Sequence, residues 1–246
     1  MASPLAQFEI KKIIPIEFLN YDISFTNSSL AMFLTASIII FFLFFGLKKK
    51  SIVPGKIQAL TEISYEFIAN MIKDNIGKEG MKYLPFVFTL FMFILIGNML
   101  GMLPYSFTWT SHIIVTFAIS FFIFLGVTII AIVKHGLLKF LSFFAPSGVP
   151  KAMLLLLVPI EIISYLSRPI SLSVRLFANM MAGHTLLKVI GGFVFVLAAN
   201  SYIIGGVLPL IFLVALTGLE IVIAFLQAYV FAILTCLYIN DAINLH

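Results

Sequence analysis

Residues 152–189 read AMLLLLVPIEIISYLSRPISLSVRLFANMMAGHTLLKV, and no polar loop divides them. As a single helix rising about 1.5 Å per residue, the stretch would measure roughly 60 Å, about twice the ~30 Å of hydrocarbon in a bilayer. A helix of that length fits a membrane only when strongly tilted. Pro159 and Pro169 are points at which it could kink. A second long apolar segment follows at 207–239, with Pro209 near its start, and Gly191-Gly192 and Gly205-Gly206 bracket the uncharged turn between the two. Together they predict a steeply tilted helical hairpin over 152–245.

The rest of the chain also belongs in a bilayer. Of its 246 residues 62% are hydrophobic and 10% charged, and its mean hydropathy is +1.16; soluble domains carry roughly one-quarter charged residues. Apolar runs of about 20 residues, the length of a membrane-crossing helix, predict a first span at 28–47 and two more within 84–133, near 84–103 and 112–133. Between the first span and these, residues 57–80 place Leu60, Ile63, Phe67, Ile68, Met71 and Ile72 at helical spacing among Glu62, Glu66, Lys73 and Asp74. That pattern predicts an amphipathic helix lying on the membrane surface. The fold class is an all-α polytopic membrane protein in one membrane domain, with five membrane helices and one surface helix.

Charge sets orientation. The net charge of +5 comes from lysines beside apolar segments: Lys48, Lys49, Lys50 and Lys56 in one cluster, Lys134, Lys139 and Lys151 in another. These suit lipid headgroups rather than nucleic acid. The lysine run after 28–47 puts that end in the cytoplasm or matrix and residues 1–27 outside, although Lys11 and Lys12 weigh against it beside Glu9, Glu17 and Asp22. The uncharged loop 104–111 suits the outer side. Nothing in 1–27 has the form of a cleavable signal peptide. Asn27 is expected to cap the first helix, Gly97 and Gly101 to pack one helix against another, and Asn98 is a candidate polar lining. Cys236 is the single cysteine, so no disulfide framework or paired-cysteine metal site is available. With no phosphate-binding loop either, neither cofactor, metal nor nucleotide is expected here.

Six charged or histidine side chains fall inside the two apolar segments, 152–189 and 207–239: Glu161, Arg168, Arg175, His184, Lys188 and Glu220. Each costs ~3 kcal/mol or more at the centre of a bilayer, and such charges mark ion paths or counter-ions by default. Arg168 and Arg175 are the only arginines, and arginine, unlike lysine, keeps its proton when buried. Glu161, Arg168 and Arg175 recur every seven residues, so they lie within ~40° of one another on a helix. Ser164, Ser171, Ala178 and Ala182 share that stripe, giving a smooth face that another helix could approach closely. A static helix interface, with Arg175 paired to an internal carboxylate, fits the same phase. His184, nine residues beyond Arg175, points to roughly the opposite side. Antiparallel pairing would bring Gln227 near Arg175 and Glu220 toward His184, as a proton relay or as a satisfied core pair.

The stretch SRPISLSVRLFANMMAGH at 167–184 resembles the signature of subunit a of F-type ATP synthases. Similar supporting stretches are SPLAQFEI at 3–10, LPYSF at 103–107, TSHI at 110–113, LQAY at 226–229 and YINDAINLH at 238–246. The resemblance implies a non-catalytic stator subunit whose hairpin curves around a ring of c subunits carrying a buried carboxylate, with two offset half-channels reaching opposite membrane faces. It implies b-type stator subunits, other ATP synthase subunits and lipid as further partners. Arg175 matches the family's essential arginine, and Asn179 and Gln227 match polar positions beside it. Glu161 matches an acid of the half-channel toward the cytoplasm or matrix, while His184 and Glu220 match a pair lining the outer one. Arg168 is expected to be structural. The order of histidine and acid resembles alphaproteobacterial and mitochondrial members, implying a bacterial inner membrane or, alternatively, a mitochondrial one. A proton-coupled secondary transporter would show inverted repeats and matched broken helices, and none is evident in the sequence. The smooth face around Arg175 speaks against a purely structural scaffold.

Overall fold

The computed structural model describes residues 8–18, 21–22, 24–48, 51–103, 106–144, 151–200 and 204–244. Lys49, Lys50, the loop residues Pro104 and Tyr105, the first part of the 3–10 stretch, the end of the inter-helix turn and the last two residues lie outside them. Strands β1 (Lys12–Ile14), β2 (Glu17–Phe18), β3 (Tyr21–Asp22) and β4 (Phe25–Thr26) precede helices α1 (Asn27–Lys48), α2 (Lys56–Asn75), α3 (Leu84–Gly101) and α4 (Ile113–His135). Helix α5 (Leu137–Ser142) leads on to α6 (Lys151–Asn200) and α7 (Ile204–Ile243). Short 3-10 turns lie at Lys78–Tyr83 and Trp109–Ser111. Among the described residues five helical segments, containing α1, α3, α4, α6 and α7, are long and apolar enough to cross a membrane. The polytopic all-α fold class is therefore borne out. Helix α6 runs through Pro159 and Pro169, and α7 through Pro209, without interruption.

The chain forms two compact units: Met1–Thr61, Phe91–His112 and Leu176–Tyr229 in the first, and Glu62–Leu90, Ile113–Arg175 and Val230–His246 in the second. In the first unit, β1 pairs antiparallel with β4, and β2 with β3. These strands carry no sequence signal strong enough to predict them. Helix α1 is entered through Thr26, whose Oγ1 accepts from Ser29 N at 3.4 Å, the geometry of an N-cap. Asn27 instead ties the chain's beginning to α1: its Nδ2 donates to Glu9 O at 3.0 Å and its Oδ1 accepts from Lys11 N at 3.2 Å. The first turn of α1 is thus shared between Thr26 and Asn27, whose Oδ1 also accepts from Ser28 N at 3.0 Å.

The glycine pair of α3 also departs from expectation. A Cβ on Gly97 would stand 2.4 Å from Trp109 Cζ2, and one on Gly101 2.6 Å from Thr108 Oγ1. Both glycines receive side chains of the connection after α3, not another helix. Trp109 is 1% exposed, and its indole Nε1 donates to Thr35 Oγ1 on α1 at 3.3 Å. Burying so large a ring is affordable because its one donor is satisfied.

In the second unit Ile68, Met71 and Ile72 of α2 are buried, whereas Ile63 points outward; in the first unit Ile57 and Leu60 do likewise. The apolar stripe read from sequence is therefore divided between core and surface. Tyr165 of α6 donates or accepts a 2.6 Å bond with Thr128 of α4 and packs against Phe124, Phe140 and Phe144. His135 Nε2 donates to Ile243 O at 2.9 Å, and Lys134 pairs with Glu79 at 3.2 Å. Gly136, with φ of 81° and ψ of 156°, joins α4 to α5 in a positive-φ conformation that glycine adopts without strain.

Candidate functional site

In the first unit, α7 places Glu220, Ala224 and Gln227 at i, i+4 and i+7, one face of a helix. All three are buried. Antiparallel packing sets Gln227 against Asn179 of α6, whose Nδ2 donates to Gln227 Oε1 at 2.9 Å. Two turns along, His184 Nδ1 lies 3.4 Å from Glu220 Oε1. The approach depends on Gly183, where a Cβ would stand 2.7 Å from that same oxygen. Helix α3 adds Asn98, fully buried, whose Nδ2 donates to Ala224 O at 3.3 Å.

The far side of His184 is held by the connection after α3. Thr108 Oγ1 is 3.2 Å from His184 Nε2 and 3.2 Å from Gly101 O, to which it donates. Several buried polar atoms nearby have no hydrogen-bond partner among the described residues: both carboxylate oxygens of Glu220, Gln227 Nε2 and Asn98 Oδ1. Orphaned polar atoms in an apolar interior are costly, each worth about 1–3 kcal/mol, and a site that keeps them has a use for them. A cavity of about 60 Å³ opens beside Glu220, lined also by Asn179, Gly183 and apolar side chains including Leu187 and Ile223. A water needs about 10–15 Å³ on that scale and two or more polar partners, so water fits there.

In the second unit Arg168 of α6 is half-buried. Its guanidinium bonds Asp241 of α7 at 3.0 Å and lies 5.3 Å and 5.0 Å from the ring centroids of Tyr165 and Tyr238. Arg175 is unlike it: exposed, with no ion pair among the described residues. Ser164 and Ser171, on its helical stripe, are exposed as well, and Glu161 is half-buried. In the first unit Ala178 and Ala182 are exposed on α6.

Of the residues singled out by sequence, the fold brings His184 to Glu220 and Asn179 to Gln227. It gives Arg168 a carboxylate and two rings, and leaves Arg175 on an open helix surface. Thr108, Gly183 and Asp241 escaped sequence reasoning. Gly183 and Asp241 fall within stretches that resemble a family signature, but nothing in their spacing assigns them a partner. Thr108 stands in an uncharged loop and has no periodicity to reveal it.

The family model described as ATP synthase A chain matches residues 29–240. The chain is 59% identical to ATP synthase subunit a of Pelagibacter ubique (strain HTCC1062) over 245 residues, covering 99% of this chain and 98% of that protein. It is 55% identical to ATP synthase subunit a of Rhodospirillum rubrum over 246 residues, all of both chains. Against ATP synthase subunit a of Paramagnetospirillum magneticum the identity is 53% over 249 aligned positions, again the whole of both.

Proposed function

Because the chain belongs to the ATP synthase A chain family, we propose that its long hairpin passes protons between two half-channels and a ring of c subunits, with Arg175 as the barrier between them. The chain is a proton-translocating, non-catalytic subunit of the membrane sector of F-type ATP synthase. It is a multi-pass protein of the bacterial inner membrane.

The observation that carries the proposal is an arginine lying exposed on a membrane helix, with no ion pair among the described residues and with serines along its stripe. A fixed cation is costly in lipid, so Arg175 needs an anionic partner that reaches it from outside the chain. A ring carboxylate meets that need. Facing lipid, such a carboxyl must be protonated, because desolvation raises its pKa. Beside a guanidinium the charged form is favoured instead. The carboxyl therefore reaches Arg175 only after losing its proton to one half-channel, and leaves only after regaining one from the other. Arg175 keeps its own proton throughout.

His184 and Glu220 are the outer half-channel's exchanging groups in this scheme, and Glu161 serves the half-channel toward the cytoplasm. Asn179 and Gln227 line the route between them. Each proton crossing 100 mV supplies about 2.3 kcal/mol, so several must pass for each ATP made. The b-type stator subunits hold the chain against rotation.

The test is Arg175→Ala in the complete ATP synthase, assayed as ATP-driven acidification of inverted membrane vesicles. Assembly persists, because the side chain is exposed and makes no ion pair among the described residues, and acidification falls at least about tenfold, a loss of ~1.4 kcal/mol or more of coupling. Normal acidification in an assembled variant overturns the barrier role.

A further inference from the structure

We infer that Thr108 is a positioning residue that fixes the tautomer of His184, so that the His184–Glu220 pair can pass a single proton between Glu220 Oε1 and His184 Nδ1. The inference rests on the proposed outer half-channel. It follows from counting hydrogens. A threonine hydroxyl carries one hydrogen and two lone pairs. Thr108 spends its hydrogen on Gly101 O, 3.2 Å away, a carbonyl in the last turn of α3 that lacks a helical donor. Toward His184 Nε2, also 3.2 Å away, the hydroxyl can then only accept. Nε2 must therefore carry a hydrogen in both the neutral and the protonated ring.

That assignment decides the chemistry at the other nitrogen. In the neutral ring Nδ1 presents a lone pair toward Glu220 Oε1, 3.4 Å away. Two states of the pair then hold the same number of protons: Glu220 as the acid beside neutral His184, and Glu220 as carboxylate beside imidazolium. Passing between them breaks the O–H bond of Glu220 and forms the Nδ1–H bond of His184, once the pair closes from 3.4 Å to hydrogen-bond distance. In the opposite tautomer Nδ1 already bears its hydrogen and cannot receive one, so the step is blocked until the ring rearranges. Both partners are buried, where rearrangement by exchange with bulk water is slow.

Two glycines make the arrangement possible. A Cβ at Gly101 would lie 2.5 Å from Thr108 Cγ2, and one at Gly183 2.7 Å from Glu220 Oε1. Each side of the imidazole is thus reached across a position that only glycine leaves open. Lys188, one turn beyond His184 on α6, is a further charged group acting on the ring.

The experiment is ¹⁵N solid-state NMR of histidine-labelled whole ATP synthase in lipid, with His184 assigned by difference from His184→Ala. The wild-type ring shows a hydrogen on Nε2 when neutral. Thr108→Val removes the hydroxyl at nearly constant volume: the Nε2–H signal gives way to a mixture of tautomers, and ATP-driven proton flux in vesicles slows about tenfold. Thr108→Ser keeps the hydroxyl and holds both readouts within about twofold of wild type. A neutral wild-type His184 protonated on Nδ1 overturns the inference without any variant. So does a Thr108→Val complex with unchanged tautomer and flux, or a Thr108→Ser complex as slow as the valine variant. If His184→Ala leaves flux untouched, the outer half-channel reading fails, while the tautomer of the wild-type ring still decides what Thr108 does.

Discussion

Arg168 and Arg175 sit on one stripe of one helix, and the fold treats them oppositely. Arg168 has Asp241 at 3.0 Å and two tyrosine rings about it; Arg175 stands exposed without an ion pair among the described residues. Spacing alone made them equivalent, because a heptad places residues on a face without saying where the partner's carboxylate lies. His184 and Glu220 were legible as a pair, since antiparallel helices align positions of constant sum and the sequence supplied one acid at the right place. Gln227 was expected near Arg175; the partner the structure gives it is Asn179, four residues further on. Glu220→Gln or His184→Ala should slow proton flux in vesicles severalfold without uncoupling it from ATP turnover. Loss of assembled complex instead would favour a core pair with no transport role.

Between residues and the whole molecule, the helices meet through contacts that the sequence announced only in part. The small residues of α3 were visible, but what they receive is an indole, because Trp109 folds back from a loop without periodic pattern. Gly97→Val should lower the thermal stability of the assembled complex by about 2–3 kcal/mol through overpacking, since its Cβ would fall 2.4 Å from Trp109 Cζ2. Gly126→Ala, where nothing lies within 4 Å, should be neutral or slightly stabilising. Comparable losses at both positions would contradict the packing described for Gly97. The Arg168–Asp241 link between α6 and α7 gives a graded prediction. Asp241→Asn removes a bridge whose two sides are 24% and 46% exposed, worth no more than about 1 kcal/mol after solvent screening. Arg168→Leu also removes two cation–π contacts, at ~0.5–1 kcal/mol each, and should cost more in a detergent melting assay. The reverse order would mean that the rings contribute nothing.

At the level of the whole molecule, hydropathy was enough to find the five membrane-length helices, because backbone groups in lipid must be satisfied within a segment and an apolar run of about 20 residues is the only economical form. The short strands before α1 escaped, since two- and three-residue elements bury too little to leave a pattern. The stripe of α2 was visible but not its division into buried Ile68, Met71 and Ile72 and outward Leu60, Ile63 and Phe67, which depends on what lies above and below the helix. Orientation remains a prediction of the lysines: single cysteines placed at 10 and at 52 should react with an impermeant thiol reagent from opposite sides of the inner membrane, the first from outside. Labelling of both from one side would reverse or break the topology.

On the proposed mechanism Arg175 meets a carboxylate brought to it by another subunit. The most direct measurement is the structure of the complete ATP synthase imaged in a lipid bilayer, at a resolution that places side chains. The expected result is a ring helix packed on the Ser164–Ser171 face of α6, its carboxyl within reach of the Arg175 guanidinium, with water leading to that place from the His184–Glu220 side and from Glu161. A lipid headgroup or another stator helix covering Arg175, with the ring's carboxyls nowhere near it, would overturn the barrier role.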